Sequence, residues 1–197
     1  MCFSDIVFII DRSISISNEQ FTRSIEFIYN VTQYLHIDPQ NFLISVVLFD
    51  NTPVGVFDFD SHITKQSLLQ AINNINRIGG GALTDTALAL NYSLSLLTAQ
   101  NGSRSNAERA VIVVTDGDSD DRVNTHHAAD NLRKNNITVY GMGIGTHVST
   151  DEITELAGGH QNVHRVSDFV YLCNLVPALV LQLGKTTLLL LPIICHA

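Results

Sequence analysis

Positive charge is scarce in this chain: 11 lysines and arginines stand against 19 aspartates and glutamates in 197 residues, a formal net charge of −8. The few basic residues form no run. Nucleic acid is therefore not an expected partner, because its phosphates must be met by clustered Lys and Arg. An acidic chain is better suited to cations or basic surfaces. Cysteine is scarce too, and three residues are too few for a disulfide scaffold. Long apolar runs are missing. The longest, Leu188 to Cys195, is eight residues, where a membrane-spanning helix needs about 20, so no membrane insertion is expected. Internal repeats and low-complexity segments are absent as well. The opening Met1-Cys2-Phe3-Ser4-Asp5 has neither the basic region nor the cleavage pattern of a secretion signal.

What is present is ordinary globular composition, 45% hydrophobic and 15% charged, at a length that suits one domain. Four N-x-[ST] sequons, at Asn30, Asn91, Asn101 and Asn136, point to a secreted protein. A piece of a longer secreted chain reconciles these sequons with the missing signal.

Apolar runs alternate with amphipathic stretches. Ile6-Val7-Phe8-Ile9-Ile10 is a continuous β-branched and aromatic run, the pattern of a strand buried on both faces. Ser17 and Gln20 make a capping box, followed by Phe21, Ile25, Ile28 and Leu35 on one helical face. Further strands are predicted at Phe42 to Phe49, Val54 to Phe57, Ala110 to Val114, Ile137 to Met142 and Val163 to Val166. The second of these should pair as a hairpin across Asp50-Asn51-Thr52-Pro53. Helices are predicted at Ile63 to Ile75, Thr86 to Leu97, Val123 to Lys134, Asp151 to Ala157 and Phe169 to Leu183. This order argues an α/β fold: a doubly wound, mostly parallel central sheet with helices on both faces and one antiparallel edge strand. The domain should span residues 4–184, leaving 185–197 as a short tail.

In such sheets ligands bind beyond the carboxyl ends of the strands, where strand order reverses. After the first strand comes Asp11-Arg12-Ser13-Ile14-Ser15. A glycine-rich loop, Gly79-Gly80-Gly81, leads to Thr84, and Thr115-Asp116-Gly117 follows the strand ending at Val114. Two carboxylates and three hydroxyls converge. These hard oxygen donors suit Mg²⁺, or Mn²⁺ or Ca²⁺, rather than zinc, which prefers His and Cys. With only two carboxylates, the ion would keep enough electrophilicity to take an external one.

These motifs, in this order along nearly the whole chain from Asp5 to Leu183, resemble the von Willebrand factor A-type domain with its metal-ion-dependent adhesion site. The resemblance implies that Asp11, Ser13, Ser15, Thr84 and Asp116 hold Mg²⁺. It also implies that an acidic residue of a protein partner completes the coordination. Ser13 and Ser15 would be direct ligands, Thr84 and Asp116 would alternate between direct and water-mediated contact, and Asp11 would orient waters and hydroxyls. The closest likeness is to extracellular matrix A domains, so the expected function is a secreted adhesion module binding collagen or another matrix protein. The alternative is an intracellular scaffold domain of the same family with a structural metal. Arg12, Ala87 and Pro177 depart from the family pattern, and Pro177 should interrupt the last helix.

Other motifs lead nowhere catalytic, and no enzyme is expected. Gly141-x-Gly143-x-Gly145 opens no helix and reads as a strand exit. No G-x-S-x-G elbow is present, and Ser13 stands where a phosphoaspartate hydrolase needs a second Asp. Asp118, Asp120 and Asp121 read as an acidic turn, and His126-His127 as part of a helix surface. Cys2 precedes the first strand at the end opposite the metal, and the last helix returns there, so Cys2 should pair with Cys195. Cys173, placed near the start of that helix, should remain a thiol.

Overall fold

The computed structural model describes residues 3–184. The tail 185–197, with Cys195, and Cys2 at the other end lie outside the described residues. Six strands form one sheet in the order β3-β2-β1-β4-β5-β6. They are β1 (Ser4–Asp11), β2 (Phe42–Phe49), β3 (Val54–Phe57), β4 (Glu108–Thr115), β5 (Ile137–Ile144) and β6 (Val163–Val166). All neighbours pair in parallel except β3, which runs antiparallel to β2 at one edge, as the Asp50-to-Pro53 turn predicts. Helices α1 (Asn18–Tyr34), α2 (Lys65–Asn73), α3 (Thr86–Leu96), α4 (Arg122–Lys134), α5 (Thr150–Ala157) and α6 (Val176–Gly184) cover the faces.

The pleat of β1 divides the core. Ile6, Phe8 and Ile10 point to one face and pack with α1, α2 and α6, while Val7 and Ile9 point to the other and pack with α3 and α4. The same alternation in β4 sends Ile112 and Val114 to the first face and Val111 and Val113 to the second. Both faces of the central strands are thus out of water, which is why their sequence runs apolar without alternation.

Local signals position the helices. Ser17 accepts from the Gln20 N–H while the Gln20 side chain accepts from the Ser17 N–H, so the capping box forms as predicted. Thr64, Asp85, Asp121 and Ser149 cap α2, α3, α4 and α5 with side-chain oxygens. The helix expected over Phe169 to Leu183 is divided. Phe169–Leu175 forms 3-10 turns capped by Asp168 and packed on α1, and α6 starts at Val176. Pro177 therefore sits in the first turn of α6, where a backbone N–H would have no partner within the helix. It starts this helix instead of kinking one.

That division bears on the cysteines. Cys173 lies in the 3-10 segment and is disulfide-bonded, so it is not the thiol expected from the sequence. The chain has only two other cysteines. The expected Cys2–Cys195 pairing itself falls on cysteines outside the described residues. The expectation of a thiol at Cys173 failed because it put Cys173 in the opening turn of a single long helix.

Candidate metal centre

Strand order runs outward in both directions from β1 and β4, so the switch point lies between them. Asp11 closes β1 and Asp116 follows β4, and the parallel register sets Ile10 beside Val114, which brings the two ends level. The Asp11 carboxylate is fully buried. Its Oδ1 accepts from the Ser13 N–H at 2.8 Å and its Oδ2 from the Thr115 hydroxyl at 2.7 Å. Ser13 Oγ lies 3.0 Å from Ser15 Oγ, and the Ser15 hydroxyl donates to Asp116 Oδ1 at 3.0 Å. Four of the five expected ligands therefore belong to one continuous hydrogen-bonded group.

The fifth, Thr84, lies on the loop between α2 and α3 and makes its hydrogen bonds outside that group, through its backbone. Its N–H donates to the Asp120 carboxylate, and its carbonyl accepts from the Asp120 N–H and the Ser119 hydroxyl, both at 3.3 Å. These bonds tie Thr84 to the loop that carries Asp116.

The electrostatics are unbalanced. Burial pushes the Asp11 carboxyl up to about 6 against the donated hydrogen bonds, with the Asp116 charge adding a smaller push. Burial also raises Asp116, opposed by the Ser15 hydroxyl and by His147. The neighbouring cation does not help, because the Arg12 guanidinium turns away to Asp50. A divalent cation among these oxygens would supply the missing positive charge, so the residues present fit such an ion. Among the described residues no group of three His, Cys, Asp or Glu could hold a metal. The donors at the candidate centre are carboxylates and hydroxyls, the donor chemistry of Mg²⁺, Mn²⁺ or Ca²⁺.

The role of Asp50 and Asn51, read from the sequence only as hairpin-turn residues, is larger. Asp50 accepts from the Thr52 and Gly81 N–H groups at 3.1 and 2.9 Å, and Asn51 accepts from the Leu83 N–H at 2.9 Å. Gly81 has a steric reason: a Cβ there would lie 2.0 Å from the Asn51 side-chain oxygen. Gly79 and Gly80, at φ of +87° and +145°, take backbone conformations that side chains disfavour. Asp118, Asp120 and Asp121 each bind a backbone N–H, of Ser149, Thr84 and Asn124. They build the turn. Gly141 and Gly143 lie inside β5 rather than at its exit, and a Cβ on Gly141 would meet Ile153 of α5 at 2.5 Å.

The sequons lie apart from the centre in sequence. Asn30 is half-buried on α1, Asn91 is exposed on α3, Asn101 ends a short 3-10 turn before β4, and Asn136 is exposed between α4 and β5. The hydroxyl residues of the first two, Thr32 and Ser93, are fully buried. Among the described residues no helix is long and apolar enough to cross a membrane.

A doubly wound sheet with an oxygen-donor cluster at its switch point defines an α/β domain whose candidate site lies at one end of the sheet. Residues 5–177 match the von Willebrand factor type A domain, and the chain belongs to that family. It is 33% identical over 157 residues to von Willebrand factor A domain-containing protein 2 of Xenopus laevis, covering 80% of this chain and 19% of that protein. It is 33% identical over 154 residues to the collagen alpha-4(VI) chain of Mus musculus, covering 78% of this chain and 6% of that one. The chain thus spans a fifth or less of these relatives. Its fold is similar to that of proximal thread matrix protein 1 from the mussel byssus, solved with a zinc-occupied MIDAS motif. There the TM-score is 0.86 at 22% identity, covering 93% of this chain and 48% of that one.

Proposed function

We propose that this domain is a metal-dependent protein-binding module, of the adhesion type, working outside the cell as part of a longer matrix protein. Asp11, Ser13, Ser15, Thr84 and Asp116 would hold Mg²⁺, with Mn²⁺ or Ca²⁺ able to substitute, and a carboxylate of the partner would complete the shell. The observation that carries this reading is the buried Asp11, which has hydrogen-bond donors but no cationic side chain paired with it among the described residues, beside the continuous Ser13, Ser15 and Asp116 group. An ion held there supplies positive charge at the surface. The chain's own residues do the rest: Asp11 holds the Ser13 backbone and the Thr115 hydroxyl in place, Asp116 fixes Ser15, and the β4–α4 loop fixes Thr84. Ser15 is exposed, so the centre opens toward solvent, where a macromolecular ligand can reach it.

Relatives named as collagen chains support a matrix setting, with collagen or another matrix protein as the class of partner. Asn30, Asn91, Asn101 and Asn136 would carry glycans there. Asn101 and Asn136 precede β4 and β5, at the sheet end opposite the centre, where sugars leave the binding face open. The boundaries 4–184 would delimit the module. The mussel protein's zinc-occupied motif makes zinc a necessary member of any metal panel.

The test is solid-phase binding of the domain to a panel of matrix proteins with Mg²⁺, Mn²⁺, Ca²⁺ or Zn²⁺, and with chelator. Binding that needs an oxygen-preferring ion and disappears in Asp116→Ala is the expected result. Binding that survives both chelator and Asp116→Ala would overturn the metal-face mechanism.

A further inference from the structure

Arg12 stands inside the candidate ligand run, between Asp11 and Ser13, yet its side chain points away from the centre into a buried ion pair with Asp50. Its Nη1 donates to the Ile78 carbonyl at 2.5 Å and its Nη2 to Asp50 Oδ1 at 3.3 Å, while Nε faces Asp50 Oδ2 at 3.3 Å. Asp50 in turn receives the Gly81 N–H on its side chain and the Asp85 N–H, at 3.0 Å, on its carbonyl. Asn51, the next residue, receives Leu83. The Ile14 N–H donates to the Gly81 carbonyl at 2.9 Å, and Arg77 donates to the Arg12 and Ser13 carbonyls at 3.3 and 2.9 Å. The segment 78–85 therefore makes bonds at Ile78, Gly81, Leu83 and Asp85 to residues 12–14 and 50–51, on both sides of Thr84.

We propose that Arg12 is a positioning residue for Thr84. Paired with Asp50, it joins three loops into one brace that holds the glycine-rich segment, and with it the Thr84 hydroxyl, in register with Ser13 and Ser15 before any ion arrives. The physical logic is preorganisation. A segment with glycines at 79, 80 and 81 has high backbone freedom when unrestrained, and a ligand on such a segment binds more weakly because its ordering is charged against binding. A buried guanidinium with several acceptors removes that freedom in advance. The pair also carries no net charge, so it stiffens the loop without adding to the negative charge at Asp11 and Asp116. This proposal rests on the metal-binding reading of the site.

The experiment has two arms on the whole domain: hydrogen exchange in the metal-free protein, and Mn²⁺ affinity by calorimetry. In Arg12→Ala, amide exchange at Ile14, Gly81 and Leu83 should rise at least tenfold while the amides of β4 stay protected. Mn²⁺ affinity should fall about tenfold, with Arg12→Lys recovering part of it. In a Thr84→Ala background Arg12→Ala should cost nothing further, because Arg12 acts through Thr84. The double substitution Arg12→Met with Asp50→Asn removes the pair without stranding a charge, and serves where Arg12→Ala does not fold; its loop should exchange as fast. Unchanged loop exchange in the double variant overturns the brace. An Arg12 effect of equal size with and without Thr84 overturns the positioning role and leaves the metal reading intact. An unsubstituted domain that binds no Mn²⁺ while loop exchange still depends on Arg12 overturns the metal reading, and the positioning role with it.

Discussion

Strand β1 carries a buried aspartate near each end, and the two are solved in opposite ways. Asp5 and Asp11 are both fully buried and six positions apart. Asp5 receives Arg104, whose Nε and Nη2 donate to Oδ1 at 2.9 and 2.6 Å, while the Ser103 hydroxyl and the Arg104 N–H satisfy Oδ2. The same guanidinium donates to the carbonyls of Ser4, Pro39 and Asn41, which locks the loops at that end of the sheet. Asp11 receives a backbone N–H and a hydroxyl but, among the described residues, no cationic side chain, and its carboxyl is pushed upward. One end of the strand is finished by the chain itself. The other is left one positive charge short, and that deficit separates a structural end from the one proposed to bind a ligand.

The comparison can be broken most forcefully at the finished end. Arg104→Ala strands the Asp5 carboxylate in the core and should cost about 3–5 kcal/mol, read as a lower midpoint in denaturant. A cost below about 1 kcal/mol would mean that Asp5 does not depend on its arginine. At the unfinished end the sign reverses. Without metal, Asp11→Asn should stabilise the domain at pH 7.5 by up to about 3 kcal/mol, because it removes a carboxylate whose ionisation the fold opposes. The pH profile follows. Below 3.8 the Asp11 carboxyl is protonated in both folded and unfolded chains. As pH rises the unfolded chain ionises first, so stability is lost between that value and about 6. The difference in stability between the native sequence and Asp11→Asn, measured in chelator, should open across that window. A difference flat in pH would remove the charge deficit.

Metal sharpens the contrast. Mn²⁺ at a hundred times its dissociation constant should add about 2.7 kcal/mol to the native domain. It should add nothing to Asp116→Ala and a reduced increment to Ser13→Ala and Thr84→Ala. A milder disturbance of the other end, Ser103→Ala, should lower stability by only about 1.5 kcal/mol and leave the Mn²⁺ increment untouched. Thermal melts with and without the ion on these variants separate the two ends directly.

Much of the scaffold was legible locally. Apolar runs located β1, β2, β4 and β5, the Asp50-to-Pro53 turn located β3, and Ser17 with Gln20 marked where α1 begins, because caps and pleats are set by residues a few positions apart. The Asp11, Ser13, Ser15 group was legible for the same reason. What eluded the sequence acts across distance. Arg104 reaches Asp5 from 99 positions away and Arg12 reaches Asp50 from 38, and no local pattern marks either pair. Pro177 was read as an interruption because helix continuity was assumed. The boundary depends on how the segment Phe169–Leu175 packs on α1, which is also why the state of Cys173 was missed.

Periodicity, caps and turn residues thus determined by themselves the strand and helix order and the oxygen-rich character of the loops after β1 and β4, since each is encoded within a few neighbouring residues. Only the tertiary structure decided which buried aspartate would meet a cation. A guanidinium at the end of a long side chain pairs with whatever carboxylate the strand register and loop course bring within about 3 Å. At Asp5 the fold delivers Arg104. At Asp11 it turns Arg12 away to Asp50 and leaves the carboxylate to a backbone N–H and a hydroxyl.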